Sequence, residues 1–90
     1  MKMSGNTILI TGGGSGIGMA LAHGLHDAGN TVIISGRRRD ALDRASEGRV
    51  NMRGLELDVT DPDAIFDFIR RILSEYPGLT VLINNAGLPH

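Results

Sequence analysis

"TGGGSGIGMA", Thr11 to Ala20, decides how the rest of this 90-residue chain is read. Five of its ten residues are glycine, set between an apolar run, "NTILIT" (Asn6–Thr11), and a stretch with helical spacing. Glycine inside a helix or strand costs about 0.5–1 kcal/mol relative to alanine. A glycine run at a strand-to-helix turn has a use where backbone must come against a ligand. Free N–H groups and the positive end of the following helix dipole then hold an anion such as a pyrophosphate. No register matches strict G-x-G-x-x-G; Gly12, Gly16 and Gly18 read as T-G-x-x-x-G-x-G. A Walker A loop would need Lys after its last glycine. Met19 stands there, and Lys2 is the only lysine, which argues against a phosphate-cradling ATPase.

Outward from this turn, short apolar runs alternate with helical patterns. Ile17, Leu21, Leu25 and Ala28 recur at helical spacing, with Ala20 and Gly24 placed to let that helix sit close to a sheet. Gly29-Asn30 stops it. "TVIISG" (Thr31–Gly36) is apolar on both faces, as a buried parallel strand is. Asp40 to Glu47 is a short helix ending at Gly48, and "LELDV" (Leu55–Val59) alternates as a third strand. Asp61 as N-cap and Pro62 at the first helical position open a third helix. Ile65, Phe68, Ile69 and Ile72 form its apolar stripe, with Leu73 beside it, and Pro77-Gly78 ends it. "LTVLIN" (Leu79–Asn84) is a fourth strand, followed by a loop.

This order, βαβαβαβ, predicts an α/β fold with a parallel sheet in strand order 3-2-1-4, a truncated doubly wound arrangement of Rossmann type. Residues 1–90 form one dinucleotide-binding unit. Ligands of such sheets bind beyond the carboxyl ends of the strands, where the strand order reverses. Both the glycine run and "NNAG" (Asn84–Gly87) fall there.

Composition narrows the function classes. Hydrophobic residues make up 41% and charged residues 21%, with a net charge of −1, so no global field attracts nucleic acid or a membrane surface. No aromatic residues interleave with basic ones, which argues against single-strand nucleic-acid binding. No apolar run reaches the 18 residues of a membrane span, and "MKMSGNT" lacks the apolar core of a secretory signal. A cytoplasmic location is the default expectation. Cysteine is absent, so disulfides and thiolate metal sites are excluded. His23 and His26, with Asp27 near them, are expected on a solvated helix face rather than around a metal.

"TGGGSGIG" and "NNAG", with their separation and the intervening "LDVTD", resemble the short-chain dehydrogenase/reductase family along essentially the whole chain. The opening through "AGNTVIISGRR" also resembles oxidoreductases named for D-alanine transfer to lipoteichoic acid. The family resemblance implies that Gly12, Gly16 and Gly18 are the dinucleotide-binding glycines, with Gly14, Ser15 and Ile17 in the same turn. It further implies that Asp58 contacts adenine with Val59 beside it. Asn84, Asn85, Ala86 and Gly87 would approach the cofactor ribose.

The nucleotide is read at the end of the second strand, where an NAD enzyme carries an acidic residue for the ribose 2′-OH. Gly36 stands there, followed by Arg37, Arg38 and Arg39. Loss of the carboxylate removes repulsion of a 2′-phosphate, and a guanidinium can pair with it bidentately. NADP is therefore expected over NAD, with Arg37 as first choice and Arg38 as second. A solvated basic turn is the alternative. Three cations at a helix start oppose its dipole by about 0.3–1 kcal/mol each, offset in part by Asp40 and Asp43.

The family's Ser, Tyr and Lys chemistry is not expected within these residues: Tyr76 is followed by "PGLT", and no Lys lies near it. No catalytic residue is assigned. Three functions follow. One is the cofactor-binding part of an NADP-dependent carbonyl or alcohol oxidoreductase, inactive by itself. The second is a dinucleotide-binding module without chemistry, and the third is a chain that folds only by self-association. A homo-oligomer through the exposed edge of the fourth strand or the adjoining sheet face is expected.

Overall fold

In a computed structural model, residues 3–12, 14, 16–58 and 60–84 are described. The chain runs β1 (Thr7–Thr11), α1 (Gly16–Asp27), β2 (Thr31–Gly36), α2 (Arg39–Ser46), β3 (Met52–Glu56), α3 (Pro62–Glu75) and β4 (Leu79–Asn84). The four strands are parallel in the order β3-β2-β1-β4, as the alternation of elements predicts.

Alternating side chains feed two apolar layers. Ile8, Ile10, Val32 and Ile34 face α1 and α2, where Ala22, Leu42 and Ala45, together with Met52 of β3, close the first layer. Leu9, Ile33 and Leu55 face the other way, against Phe68 and Ile72 of α3. Hence β2 is buried through its interior on both faces, which explains its unbroken apolar run.

Three local expectations give way to the structure. The first is the third strand, which occupies Met52–Glu56 and not Leu55–Val59. Pairing with β2 begins directly after the turn, with Val32 opposite Met52 and Gly36 opposite Glu56. Gly54 lies inside this strand, and a Cβ there would lie 2.8 Å from Leu42 Cβ and 2.9 Å from Arg39 Nη2. The close approach of α2 to this strand therefore requires glycine.

The second correction is the face of α1. Gly18 and Ala22 are buried, with Met19 and Leu25 packed beside them. Ile17 is 79% exposed, Leu21 is partly exposed, and Ala28 lies on the surface. Ala20 and Gly24 are exposed too, and nothing lies within 4 Å of a Cβ placed on Gly24. Two small residues, Gly18 and Ala22, take the buried positions and let the helix axis approach, flanked by Met19 and Leu25. Residue size thus misdirects a reading based on large apolar side chains.

The third concerns α3, where Phe68 and Ile72 are buried but Ile69 and Leu73 are exposed. Because β4 is the outermost strand, only part of the apolar arc of α3 meets the described sheet.

Sequence inspection also misses a buried polar staple. Asn30 Oδ1 accepts from both the backbone N–H and the side-chain amide of Asn6, each at 3.0 Å. The Asn30 amide donates to Leu25 O at 2.8 Å and Met3 O at 3.1 Å. These bonds satisfy groups that burial would otherwise leave unpaired, and they fix the entry to β1 against the end of α1.

Candidate dinucleotide site

At the carboxyl ends of the strands, three hydrogen bonds bind neighbouring strand ends together. Thr11 Oγ1 donates to Asn84 Oδ1 at 2.9 Å, Gly12 N–H to Ser35 O at 2.7 Å, and Leu57 N–H to Gly36 O at 2.8 Å. The exits of all four strands are therefore held in one row, and the predicted site residues follow them.

The glycine turn leaves β1 through Gly12, whose φ of +73° excludes most side chains. Gly16 opens α1 at φ +60°. Gly14 serves contact with α2: a Cβ there would lie 3.4 Å from Ala41 Cβ. No acidic residue occupies the first turn of α1, so nothing in that turn cancels the positive end of the helix. Gly18 is buried against the sheet, while Ile17 projects outward beside the turn. A helix start with no acidic residue in its first turn, opened by a glycine at positive φ, suits a pyrophosphate.

The basic turn that follows β2 allots its three arginines differently. Arg39 donates to Asp43 Oδ1 at 3.0 Å and to Gly54 O at 2.9 Å, so it ties α2 to β3. Arg38 pairs with Asp40 Oδ2 at 2.9 Å, and Arg44 reaches the same oxygen at 3.3 Å. Of the three, Arg37 alone makes no ion pair among the described residues.

Asp58 lies just beyond β3. Its Oδ1 accepts from the Thr60 hydroxyl at 2.6 Å and from Thr60 N–H at 2.9 Å. The Thr60 hydroxyl, then its N–H, hold the Asp58 carboxyl below the ordinary aspartate range, and the charge of Arg37 adds to this. Between Arg37 and Asp58 opens a cavity of about 500 Å³, which Glu56, Leu57, Ala64, Asp67, Phe68 and Arg71 also line. Leu57 and Phe68 are buried in its apolar floor, and the charged groups form its rim. An apolar floor with a few polar groups suits a flat ring.

The α3 wall of that cavity escapes the sequence reading, which treats the helix as core. The signal is nonetheless present. Ala64, Asp67, Phe68 and Arg71 fall at positions three, four and seven apart, on one face of a helix that starts four residues after Asp58. Asp61 fixes this wall, since its Oδ1 accepts from Asp63 N–H at 3.0 Å and Ala64 N–H at 3.4 Å. Ser15, Val59, Asn85, Ala86 and Gly87 lie outside the described residues.

The other candidates have structural places. Tyr76 packs beneath the sheet, and Arg53 Nη1 donates to its hydroxyl at 3.2 Å. His23 is not on a solvated face: it is half-buried, and its Nε2 lies 2.7 Å from Ala45 O. With the proton on Nε2, the ring bridges α1 to the last turn of α2. His26 Nδ1 lies 3.0 Å from Asp27 Oδ1. Among the described residues no group of three His, Asp or Glu side chains is placed to hold a metal. No helix there is long and apolar enough to cross a membrane.

A parallel sheet in this order, with a glycine turn after its first strand, defines a nucleotide-binding fold of Rossmann type. The family model for short chain dehydrogenases matches residues 6–90, and the chain belongs to that family. The family binds NAD(P) dinucleotides. Among curated relatives, the uncharacterized oxidoreductase DltE of Bacillus subtilis is 46% identical over 98% of this chain and 35% of its own length. Gluconate 5-dehydrogenase of Gluconobacter oxydans is 40% identical over 97% of this chain and 36% of its own. The chain thus spans about a third of the length of these relatives. A short-chain type dehydrogenase/reductase of Mycobacterium marinum superposes with a TM-score of 0.86 at 29% identity, covering 99% of this chain and 38% of that one. The 2-keto-3-deoxy-D-gluconate dehydrogenase of Streptococcus agalactiae gives 0.82 at 28% identity, with 99% and 35% covered.

Proposed function

We propose that residues 1–90 are the dinucleotide-binding unit of an NADP-dependent oxidoreductase that exchanges a hydride between nicotinamide and a carbonyl or alcohol carbon. The observation that carries the choice of NADP is Arg37. It follows Gly36 where an NAD enzyme would present a carboxylate, and it makes no ion pair among the described residues while Arg38 and Arg39 are engaged. Gly12, Gly14, Ser15, Gly16, Ile17 and Gly18 would cradle the pyrophosphate. Asp58 and Val59 would meet the adenine, and Asn85, Ala86 and Gly87 the ribose, with Arg37 and then Arg38 at the 2′-phosphate.

When bound, the nicotinamide supplies the hydride chemistry, and the residues named here hold and orient it. Tyr76 is tied to Arg53 and has no lysine near it in the sequence, so no acid–base role is proposed for it, and binding of the dinucleotide is the role proposed for these residues. A titration of NADPH against NADH tests the proposal. Gly36→Asp combined with Arg37→Ala reverses the preference, and unchanged NADPH affinity in that double variant overturns it.

Self-association is the second proposal. The outer edge of β4 pairs with no strand among the described residues, Leu82 on it is 64% exposed, and Phe66, Ile69 and Leu73 of α3 are exposed as well. Edges and apolar faces of this kind recruit partners. Light scattering at micromolar concentration gives a dimer or larger, and Leu82→Lys shifts it toward monomer. A monomer in the parent chain refutes the interface.

A further inference from the structure

The pairing of Arg38 with Asp40 has a consequence for cofactor choice. We propose that Asp40 sets how strongly the basic turn grips a ribose 2′-phosphate, by holding Arg38 on its own carboxylate and leaving Arg37 as the single available clamp. The inference rests on the NADP assignment above.

The turn between β2 and α2 has two residues, Arg37 and Arg38, and Arg39 opens the helix. Arg39 has two partners, Asp43 within α2 and Gly54 O across in β3, and so is engaged in the contact between those elements. Arg38 is different. It occupies the N-cap position in extended backbone, makes no side-chain cap, and has Asp40 Oδ2 as its ion-pair partner. Arg44, one helical turn beyond Asp40, reaches the same carboxylate oxygen at 3.3 Å. Both members of the Arg38–Asp40 pair are more than half exposed, at 71% and 56% of their side-chain surface. An exposed pair of this kind is weak, so it can compete with a phosphate without abolishing the contact. Asp40 therefore acts as a positioning residue that tunes the site through Arg38.

The test is calorimetric titration of the whole protein with 2′,5′-ADP and with 5′-AMP, taking the ratio of the two affinities. That ratio isolates the 2′-phosphate and requires no turnover. Asp40→Asn is expected to raise it about two- to fivefold, the scale of one exposed ion pair released. Asp40→Ser, whose residue suits a helix start, does the same, and thermal midpoints confirm that both remain folded. In an Arg38→Ala background, Asp40→Asn leaves the ratio unchanged. Asp43→Asn, which removes a carboxylate from the same helix but releases only Arg39, leaves it unchanged as well.

A rise that persists without Arg38, or appears equally in Asp43→Asn, would mean that lost negative charge acts directly, and overturns the inference. If Arg37→Ala lowers the ratio but neither Asp40 variant raises it, the role of Asp40 falls and the NADP assignment stands. A ratio near one in the parent protein, unmoved by Arg37→Ala, removes both.

Discussion

The Thr11 hydroxyl donates to Asn84 Oδ1 across 2.9 Å and so joins the last residues of β1 and β4, the pair of strands between which the chain order reverses. The glycine turn departs from one partner and "NAG" from the other. This bond therefore sets the separation of the two segments expected to flank the cofactor. Thr11→Val keeps shape and removes the donor. The expected loss is about 0.5–1.5 kcal/mol, toward the lower end because Asn84 is exposed. Urea unfolding measures the loss, and NADPH affinity should fall with it. Weakened stability with unaltered affinity would show that the bond serves the sheet alone.

Gly54 and Gly24 form an opposed pair. At Gly54 a Cβ would meet Leu42 Cβ at 2.8 Å and Arg39 Nη2 at 2.9 Å. Arg39 can yield, but Leu42 is fully buried in the core. Gly54→Ala should therefore destabilise by about 1–3 kcal/mol. A Cβ added at Gly24 would meet nothing within 4 Å beyond the helix's own backbone, and the helix interior favours alanine. Gly24→Ala should raise stability by about 0.5–1 kcal/mol. Thermal melts of the two variants must move in opposite directions.

Asp61→Ala removes the acceptor for two N–H groups in the first turn of α3, at a cost of about 0.5–2 kcal/mol. Since that turn carries Ala64 into the cavity wall, affinity for 5′-AMP should drop together with the thermal midpoint. Asp61→Ser, which can still cap, should recover most of both.

The architecture was readable because it depends on signals local in sequence. β2 and β4 lie where their apolar runs place them, and Asp61-Pro62 marks the start of α3. What stayed hidden depends on contacts between segments. Gly54 breaks the pattern of β3 until the approach of Leu42 is known. The inward face of α1 is chosen by how near Gly18 and Ala22 can come to the sheet. The Asn6–Asn30 staple joins residues whose polarity alone suggests a surface. At the site, the run of three arginines gives no hint of its division, because the partners Asp40, Asp43 and Gly54 act through helix and sheet geometry. The cavity beside Asp58 appears only when α3 is seated.

Acid should act on this fold through four carboxyls. Asp58 is lowered chiefly by the Thr60 hydroxyl, Asp40 by Arg38, Asp27 by His26 and Glu75 by Arg71. A carboxyl lowered in the folded state favours folding while it is ionised. Its contribution is complete above the unfolded value and is lost as pH falls through the folded one. Stability should therefore hold at neutral pH and decline below about pH 4. Since all four groups are exposed, solvent screening keeps each share small. Asp58 offers the sharpest check, by carboxyl ¹³C shifts followed through an acid titration. Thr60→Val deletes the first cause of its lowering and should move the Asp58 midpoint upward. Arg37→Ala should move it the same way by less, because the guanidinium acts only through its charge. A midpoint unmoved in Thr60→Val would mean that the hydroxyl does not hold the carboxylate in solution, and would remove the preformed turn from the rim of the cavity.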